Sequence, residues 1–337
     1  MKKTIILIFI AMLGFNACKK DPTDNNTQSS IKATPINLDI PRFFPNMTIP
    51  QDNKMTKERL ALGRKLYYDP ILSNDGRSCS QCHFQAEGFT SDPGFATTVL
   101  PHVNLGWSKN FLWKGRTDQG LENVMLFEVD EFFATDLKKI NANTTYKKEF
   151  KDAFGVDEIT SKEIAYSLAQ FFRSLISGNS KYDQYMRNEI ALTQAEMDGM
   201  EIFFTETGDC FHCHGSMLFT DNDFHNIGLD SVFNGSKGRY DVTGNMKDYG
   251  TYKTPTLRNV SLRKRFMHDG RFNSLEQVIE FYNSGVQMNS PNIDPLMILP
   301  QKENGLMLTQ EQKDNLLAFL KTLTDVSFTT NPDFSKP

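Results

Sequence analysis

Two segments of this chain read Cys-x-x-Cys-His, one from Cys79 to His83 and the other from Cys210 to His214. Thiols at this spacing with a histidine directly behind them suit covalent haem attachment: the thiols form thioethers to the haem vinyl groups and the histidine reaches the iron. A single Cys-x-x-Cys serves equally well as a dithiol redox pair or half a zinc site, but two copies with histidine in the same place do not. The chain holds five cysteines, four in these motifs and the fifth, Cys18, in the leader, so no thiol is left for a disulfide. Two haem c groups are therefore expected, attached through Cys79, Cys82, Cys210 and Cys213 and ligated by His83 and His214.

The leader begins with Lys2 and Lys3, continues through an apolar run from Ile5 to Phe15, and ends at Ala17-Cys18. It is too short for a stable membrane span and reads as an export signal. A small residue followed by cysteine resembles a bacterial lipoprotein cleavage site, with Cys18 lipidated as the first mature residue. Phe15 and Asn16 depart from that pattern, and an ordinary signal peptide is the other reading. Both place the protein outside the cytoplasm, either in the periplasm or anchored at the outer membrane.

Lys19 to Ser30 is polar and reads as a disordered tether. The expected organisation is a signal at 1–17, a tether at 18–39, a first haem domain at 40–180 and a second at 181–337. A net charge of only −4 excludes a broad basic surface for nucleic acid and general attraction to anionic lipid.

The chain also repeats itself. Thr56 precedes Gly63 and Leu66-Tyr67-Tyr68, as Thr193 precedes Gly199 and Ile202-Phe203-Phe204, and Phe89-Thr90 after His83 is echoed by Phe219-Thr220 after His214. This pattern points to duplication of one haem-binding unit. Capping-box spacing at Thr160/Glu163, Thr193/Glu196 and Thr309/Gln312 marks helix starts. Ile164, Leu168, Phe171 and Leu175 form a stripe at helical spacing, and a last helix is expected over about 310–323. Strand signals are sparse, so the expected fold is mainly α: two cytochrome c-like haem domains with irregular loops and few short strands. Pro35, Pro41, Pro45 and Pro50 predict an extended entry arm.

Leu62 to Pro70, Leu72-Ser73, Asn104 to Trp107, Phe111 to Arg116, Thr254 to Val260 and Phe266 to Phe272 together resemble the bacterial dihaem cytochrome c peroxidase and MauG family over nearly all of the chain after residue 40. The resemblance implies that hydrogen peroxide reacts at the haem on His83 and that electrons enter at the haem on His214. The donor would be a small redox protein, a cytochrome c or a cupredoxin. It places Trp113 between the haems as an electron path, against the plain reading of a core tryptophan. It also implies a distal glutamate that moves a proton between the two peroxide oxygens, with Glu131 first and Glu128 second. Arg258 is the expected propionate partner, because its fork suits carboxylates. Dimers are common in the family, but nothing in the sequence identifies an interface.

Three departures bear on function. Where the plain peroxidases carry methionine as the second haem's distal ligand, this chain has Tyr282, as MauG-type proteins do, with Met288 as the competitor. The asparagine that helps hold calcium in the family is missing from the stretch Phe95 to Pro101, which leaves the backbone carbonyls after Arg258 as the remaining ligands for a calcium ion and keeps that cofactor an open expectation. The distal histidine that blocks the first haem in some peroxidases has no clear counterpart, His102 reading as a packed or surface residue. Besides the peroxidase, two readings stay open: MauG-like oxidation of a residue on a partner protein, and a non-catalytic dihaem electron carrier.

Overall fold

Thr56 caps the first helix, accepting a hydrogen bond from the Arg59 amide, and Asp69-Pro70 ends it, since the residue before proline is held out of the helical region. The computed structural model describes residues 31, 33–90, 97–116, 120–298 and 305–337. The leader, Cys18 and most of the expected tether lie outside the described residues. The tether expected to run to 39 has given way to ordered chain by Thr34. That residue's amide and hydroxyl both donate to the Glu58 carboxylate, and the Ile36 amide donates to the Met55 carbonyl.

The described residues are mainly helical, as the punctuation predicts. The first half holds α1 (Lys57–Tyr68), α2 (Leu121–Phe127), α3 (Leu137–Ala142), α4 (Thr144–Phe154) and α5 (Ser161–Ser174). The second half holds α6 (Lys181–Met186), α7 (Gln194–Phe203), α8 (Phe211–His214), α9 (Tyr240–Thr243), α10 (Leu275–Glu280), α11 (Gln310–Lys321) and α12 (Val326–Thr330). β1 (Phe224–His225) and β2 (Tyr252–Lys253) pair antiparallel. All three expected capping boxes are formed, at the starts of α5, α7 and α11.

Two hydrophobic cores repeat one design. In the first, α1 crosses α5 so closely at Gly63 that an added Cβ would lie 1.9 Å from the Ser167 carbonyl oxygen. In the second, α7 crosses α11 at Gly199, where an added Cβ would lie 1.9 Å from the Asn315 carbonyl oxygen. The glycine in each repeat is thus required by helix-on-helix contact, not by its backbone freedom. Around each crossing sits an aromatic trio. Tyr67 meets Phe89 and Phe171 with ring centroids 6.0 and 5.2 Å away, and Phe203 meets Phe219 and Phe319 at 5.8 and 5.2 Å. Edge-on pairs of this kind add to the stabilisation from area burial.

The cores change over between Leu175 and Tyr182. The chain's end then crosses back. Phe328 and Phe334 lie 5.3 and 6.4 Å from Phe89, Tyr68 donates to the Phe334 carbonyl, and Arg64 donates to the Pro332 and Ser335 carbonyls.

Gly199→Ala has no room without moving α7 off α11. The expected cost is about 1–3 kcal/mol, as for an overpacked core, read as a lower urea midpoint of the haem-loaded protein. Gly235→Ala, whose added Cβ meets nothing within 4 Å and whose backbone lies outside the left-handed region, is the control for a glycine lost outside a crossing.

Candidate active site: two chambers with a shared wall

Each Cys-x-x-Cys-His segment turns helically, with the amide of the histidine donating to the carbonyl of the first cysteine, His83 to Cys79 at 3.1 Å and His214 to Cys210 at 2.9 Å. That turn puts the two sulfurs and the imidazole on one side of the chain. One cavity takes Cys79, Cys82 and His83 into its wall, and a second takes Cys210, Cys213 and His214.

Both imidazoles are fixed in the same way. His83 Nδ1 lies 2.8 Å from the Phe89 carbonyl oxygen, and His214 Nδ1 lies 2.8 Å from the Phe219 carbonyl oxygen. A carbonyl can only accept, so Nδ1 carries the proton and Nε2 is left with its lone pair. Burial drops the His83 pKa to about 4 and lowers that of His214, which keeps both rings neutral. This is the tautomer and second-shell bond expected of a metal-ligating histidine.

The first chamber also holds Glu128, at the head of a π-turn spanning Glu128–Phe132 that continues α2. Burial pushes its carboxyl up to about 7. The second chamber holds Tyr282 in the π-turn Phe281–Gly285 that continues α10, with Met288 nearby in the same wall. Burial pushes the Tyr282 phenol up, and its hydroxyl makes no hydrogen bond among the described residues.

Glu128 and Tyr282 each stand seven residues after the first residue of their helix, Leu121 and Leu275. Val124 and Val278 stand three residues in, Met125 and Ile279 four, and all four line their own chamber. Glu128 and Tyr282 are therefore counterparts in the duplicated unit. π-turns of this kind concentrate at functional sites.

Trp113 borders both chambers. Its indole donates to the Thr98 carbonyl at 2.7 Å and its own carbonyl accepts from the Lys253 amide at 2.9 Å, which ties it to both halves of the chain. His102 stacks face to face on His83, with ring centroids 3.4 Å apart and planes 15° apart. A ligand opposite His83 would meet it nitrogen to nitrogen across the iron, so His102 is a packed residue on the His83 side. His225 is held by carboxylates at both nitrogens, Asp221 at 2.8 Å and Asp294 at 2.6 Å, and the first of these chiefly raises its pKa to about 11. Both of its ring nitrogens are thus engaged by carboxylates. His268 stacks on Tyr252 with ring centroids 3.6 Å apart.

Two expectations are corrected. Glu131 points to solvent with its side chain 62 % exposed, paired with Arg116 at 3.4 Å, because the π-turn aims Glu128 inward and leaves Glu131 on the outer face. Arg258 borders neither chamber. Its guanidinium is buried, forked onto both oxygens of Asp183 at 2.8 and 2.9 Å, and donates to the Met217 carbonyl. An arginine that does border the second chamber is Arg263, whose Nη1 is shut off from solvent without a hydrogen-bond partner while Nη2 donates to the Val99 carbonyl.

The residues present fit a covalently held haem in each chamber: two sulfurs and a bare Nε2 on one wall, apolar surroundings, and an unsatisfied guanidinium N–H at the second chamber where a propionate would be welcome. Comparison with known proteins agrees. The family described as di-haem cytochrome c peroxidase matches residues 57–191. The methylamine utilization protein MauG of Methylorubrum extorquens is 30% identical over 317 residues, covering 89% of this chain and 87% of that protein. The chain belongs to the di-haem cytochrome c peroxidase family.

Cytochrome c551 peroxidase of Nitrosomonas europaea is 30% identical, covering 82% of this chain and 81% of its own length. The crystal structure of a MauG-like protein associated with microbial copper homeostasis superposes with a TM-score of 0.81 at 31% identity, covering 90% of this chain and 99% of that one. This member of the family is an oxidoreductase that takes peroxide as acceptor and carries two haem c groups. No helix among the described residues is long and apolar enough to cross a membrane.

Replacing Cys210 and Cys213 by serine should halve the covalently bound haem, from two groups per chain to one. A pyridine haemochrome assay on the purified protein reads this directly.

Proposed function

We propose that this chain reduces hydrogen peroxide to two waters in the chamber of His83, with two protons from solvent and two electrons delivered singly through the chamber of His214 from a small cytochrome c or cupredoxin. The observation that carries the reading is Glu128, a carboxyl in the wall of the first chamber with a pKa raised by burial into the working range of an acid–base catalyst. Haem in that chamber supplies the redox centre at which the oxygen–oxygen bond is reduced.

Glu128 accepts the proton from one peroxide oxygen and hands it to the other, so that the departing oxygen leaves as water. His83 is held neutral and oriented by the Phe89 carbonyl. Trp113, in the wall common to both chambers, offers its ring as the path for the electrons. Tyr282, counterpart of Glu128, is the distal ligand of the second haem in preference to Met288. Its hydroxyl is free of other hydrogen bonds among the described residues, and an anionic phenolate favours ferric iron.

We read the two cores as two haem domains meeting near residue 180, and the leader as directing export, with anchoring through a lipid on Cys18. Homodimer formation rests on the family resemblance alone. Calcium is left out of the proposal, because the Val99 carbonyl in the stretch expected to border it is engaged by Arg263. MauG-like oxidation of a partner-protein residue is the second reading, favoured by Tyr282.

Steady-state oxidation of reduced cytochrome c by peroxide tests the first reading against the second. Glu128→Gln should cut turnover by about 10²–10⁴-fold, the usual worth of a general acid–base, while Glu131→Gln stays within about twofold. An unimpaired Glu128→Gln would remove the proposal. The carboxylate is the form that accepts the proton, so kcat/KM should rise with pH through about 7, where burial places Glu128, and the Gln variant should lose that limb. Tyr282→Phe should change the spectrum of the second haem and leave the first unaltered; a spectrum that responds to Met288→Leu instead would exchange the two residues.

A further inference from the structure

Four described residues border both chambers: Trp113, Lys253, Pro255 and Thr256. Lys253 is the charged member of this set. It is the second residue of β2, paired with Phe224 of β1, and its amide donates to the Trp113 carbonyl, so its backbone is built into the partition. The residue is only 7 % exposed.

An ammonium has three N–H donors. Here the hydrogen bond made by Nζ among the described residues goes to the Thr254 carbonyl at 3.1 Å, and no carboxylate oxygen of those residues lies within 4.0 Å of it. Asp221, whose charge favours the protonated Lys253, is already bonded to His225 at 2.8 Å. A charge taken out of water without a partner costs several kcal/mol, and proteins avoid it by pairing or neutralisation. Burial accordingly pulls the Lys253 pKa down to about 8. The chain thus holds an under-bonded cation at the one wall that both haem chambers share.

The missing partner has a plain chemical class. Each haem carries two propionate carboxylates, so a haem held in either chamber would bring anions into a cavity whose wall includes Lys253. We infer that Lys253 binds a haem propionate in the partition between the chambers, and that its ammonium raises the reduction potential of the haem whose propionate it holds. Reduction adds an electron, hence negative charge, and a neighbouring cation in a low-dielectric wall stabilises the reduced form. The propionate belongs to the haem of His83 or to that of His214, and the two sources differ in which couple responds. The inference needs both haems in place but not the assignment of Glu128 or the choice of donor.

A spectroelectrochemical titration of the two-haem protein, with no peroxide present, tests it. Lys253→Met keeps the length of the side chain and removes its charge. The reduction equilibrium constant of one haem should fall by about tenfold, a shift of about 59 mV for a one-electron couple, while the other moves less. Lys253→Arg keeps the charge and should restore the affected couple to within about threefold of the parent. A lysine that only shapes the partition would lower haem content or thermal stability, and arginine would restore neither potential nor fold. Both couples of Lys253→Met within twofold of the parent, at full haem content, would overturn the inference. Should the methionine variant fail to incorporate haem, Lys253→Gln provides the same neutral test with a polar end. Failure of peroxidase turnover leaves this measurement intact, and unchanged potentials leave the peroxidase reading intact.

Discussion

One hydrogen bond, made twice, organises this molecule: the proximal imidazole donating from Nδ1 to the carbonyl of a phenylalanine a few residues on. It fixes the tautomer and leaves Nε2 bare, the nitrogen that would hold a haem iron in each chamber. The phenylalanines that present those carbonyls sit in the left-handed region, Phe89 at φ +57° and Phe219 at φ +52°. For a non-glycine residue such a conformation costs of order 1–3 kcal/mol and persists where the surroundings over-determine it. The surroundings here are the aromatic trios, which clamp each phenylalanine ring against the crossing of two helices whose glycines let the backbones touch. Helix crossing, ring packing, strained carbonyl and oriented histidine form one chain of dependence, present in each half.

The two halves are not equally self-sufficient. Phe219 is enclosed by rings of its own core, Tyr182, Phe203, Phe204 and Phe319. Phe89 is completed from outside, by Phe328 and Phe334 of the chain's end. That end is steered there by a buried polar junction. Asp325 accepts from the Ser177 hydroxyl and the Gly178 and Asn179 amides at the changeover of the cores, and its own amide donates to Asn259. Buried carboxylates of this kind are costly unless their lone pairs are used, and here the bonds join the chain's end to the changeover at 177–179 and to Asn259. The proximal side of the first chamber is therefore held by the second half, which gives the two redox sites a mechanical link besides the Trp113 partition.

Much of this was legible in the sequence because it is periodic or local. The haem motifs, the three capping boxes, the stripe from Ile164 to Leu175 and the repeated glycine-aromatic spacing each depend on neighbours within a few residues, and each is found in place. What was not legible depends on distant partners. Arg258 reads as a propionate fork until Asp183, in α6, and the Met217 carbonyl are seen to take its guanidinium. Lys253 and Arg263 carry no signature at all, since their importance lies in what they lack. The resemblance points to Glu131 ahead of Glu128 because it does not specify how the helix ends. A π-turn in place of another α-turn rotates the residues after Phe127, and a shift of three positions exchanges the inward face for the outward one.

The signal that would have chosen Glu128 was present but needed both halves at once. Leu121-Glu122-Asn123-Val124-Met125 and Leu275-Glu276-Gln277-Val278-Ile279 begin alike, and counting equally from each leucine arrives at Glu128 and Tyr282. One ancestral position, delivered into a haem chamber by a helix that breaks into a π-turn, thus carries a carboxyl in one copy and a phenol in the other. In the proposed reading the short acid leaves the centre of its chamber open to a small substrate and works on protons at its edge. The longer, flatter phenol reaches the centre of its own chamber and closes it. Divergence between a reactive site and an electron-entry site then requires no change of fold, only a change in length and acidity at a point where the backbone was already aimed.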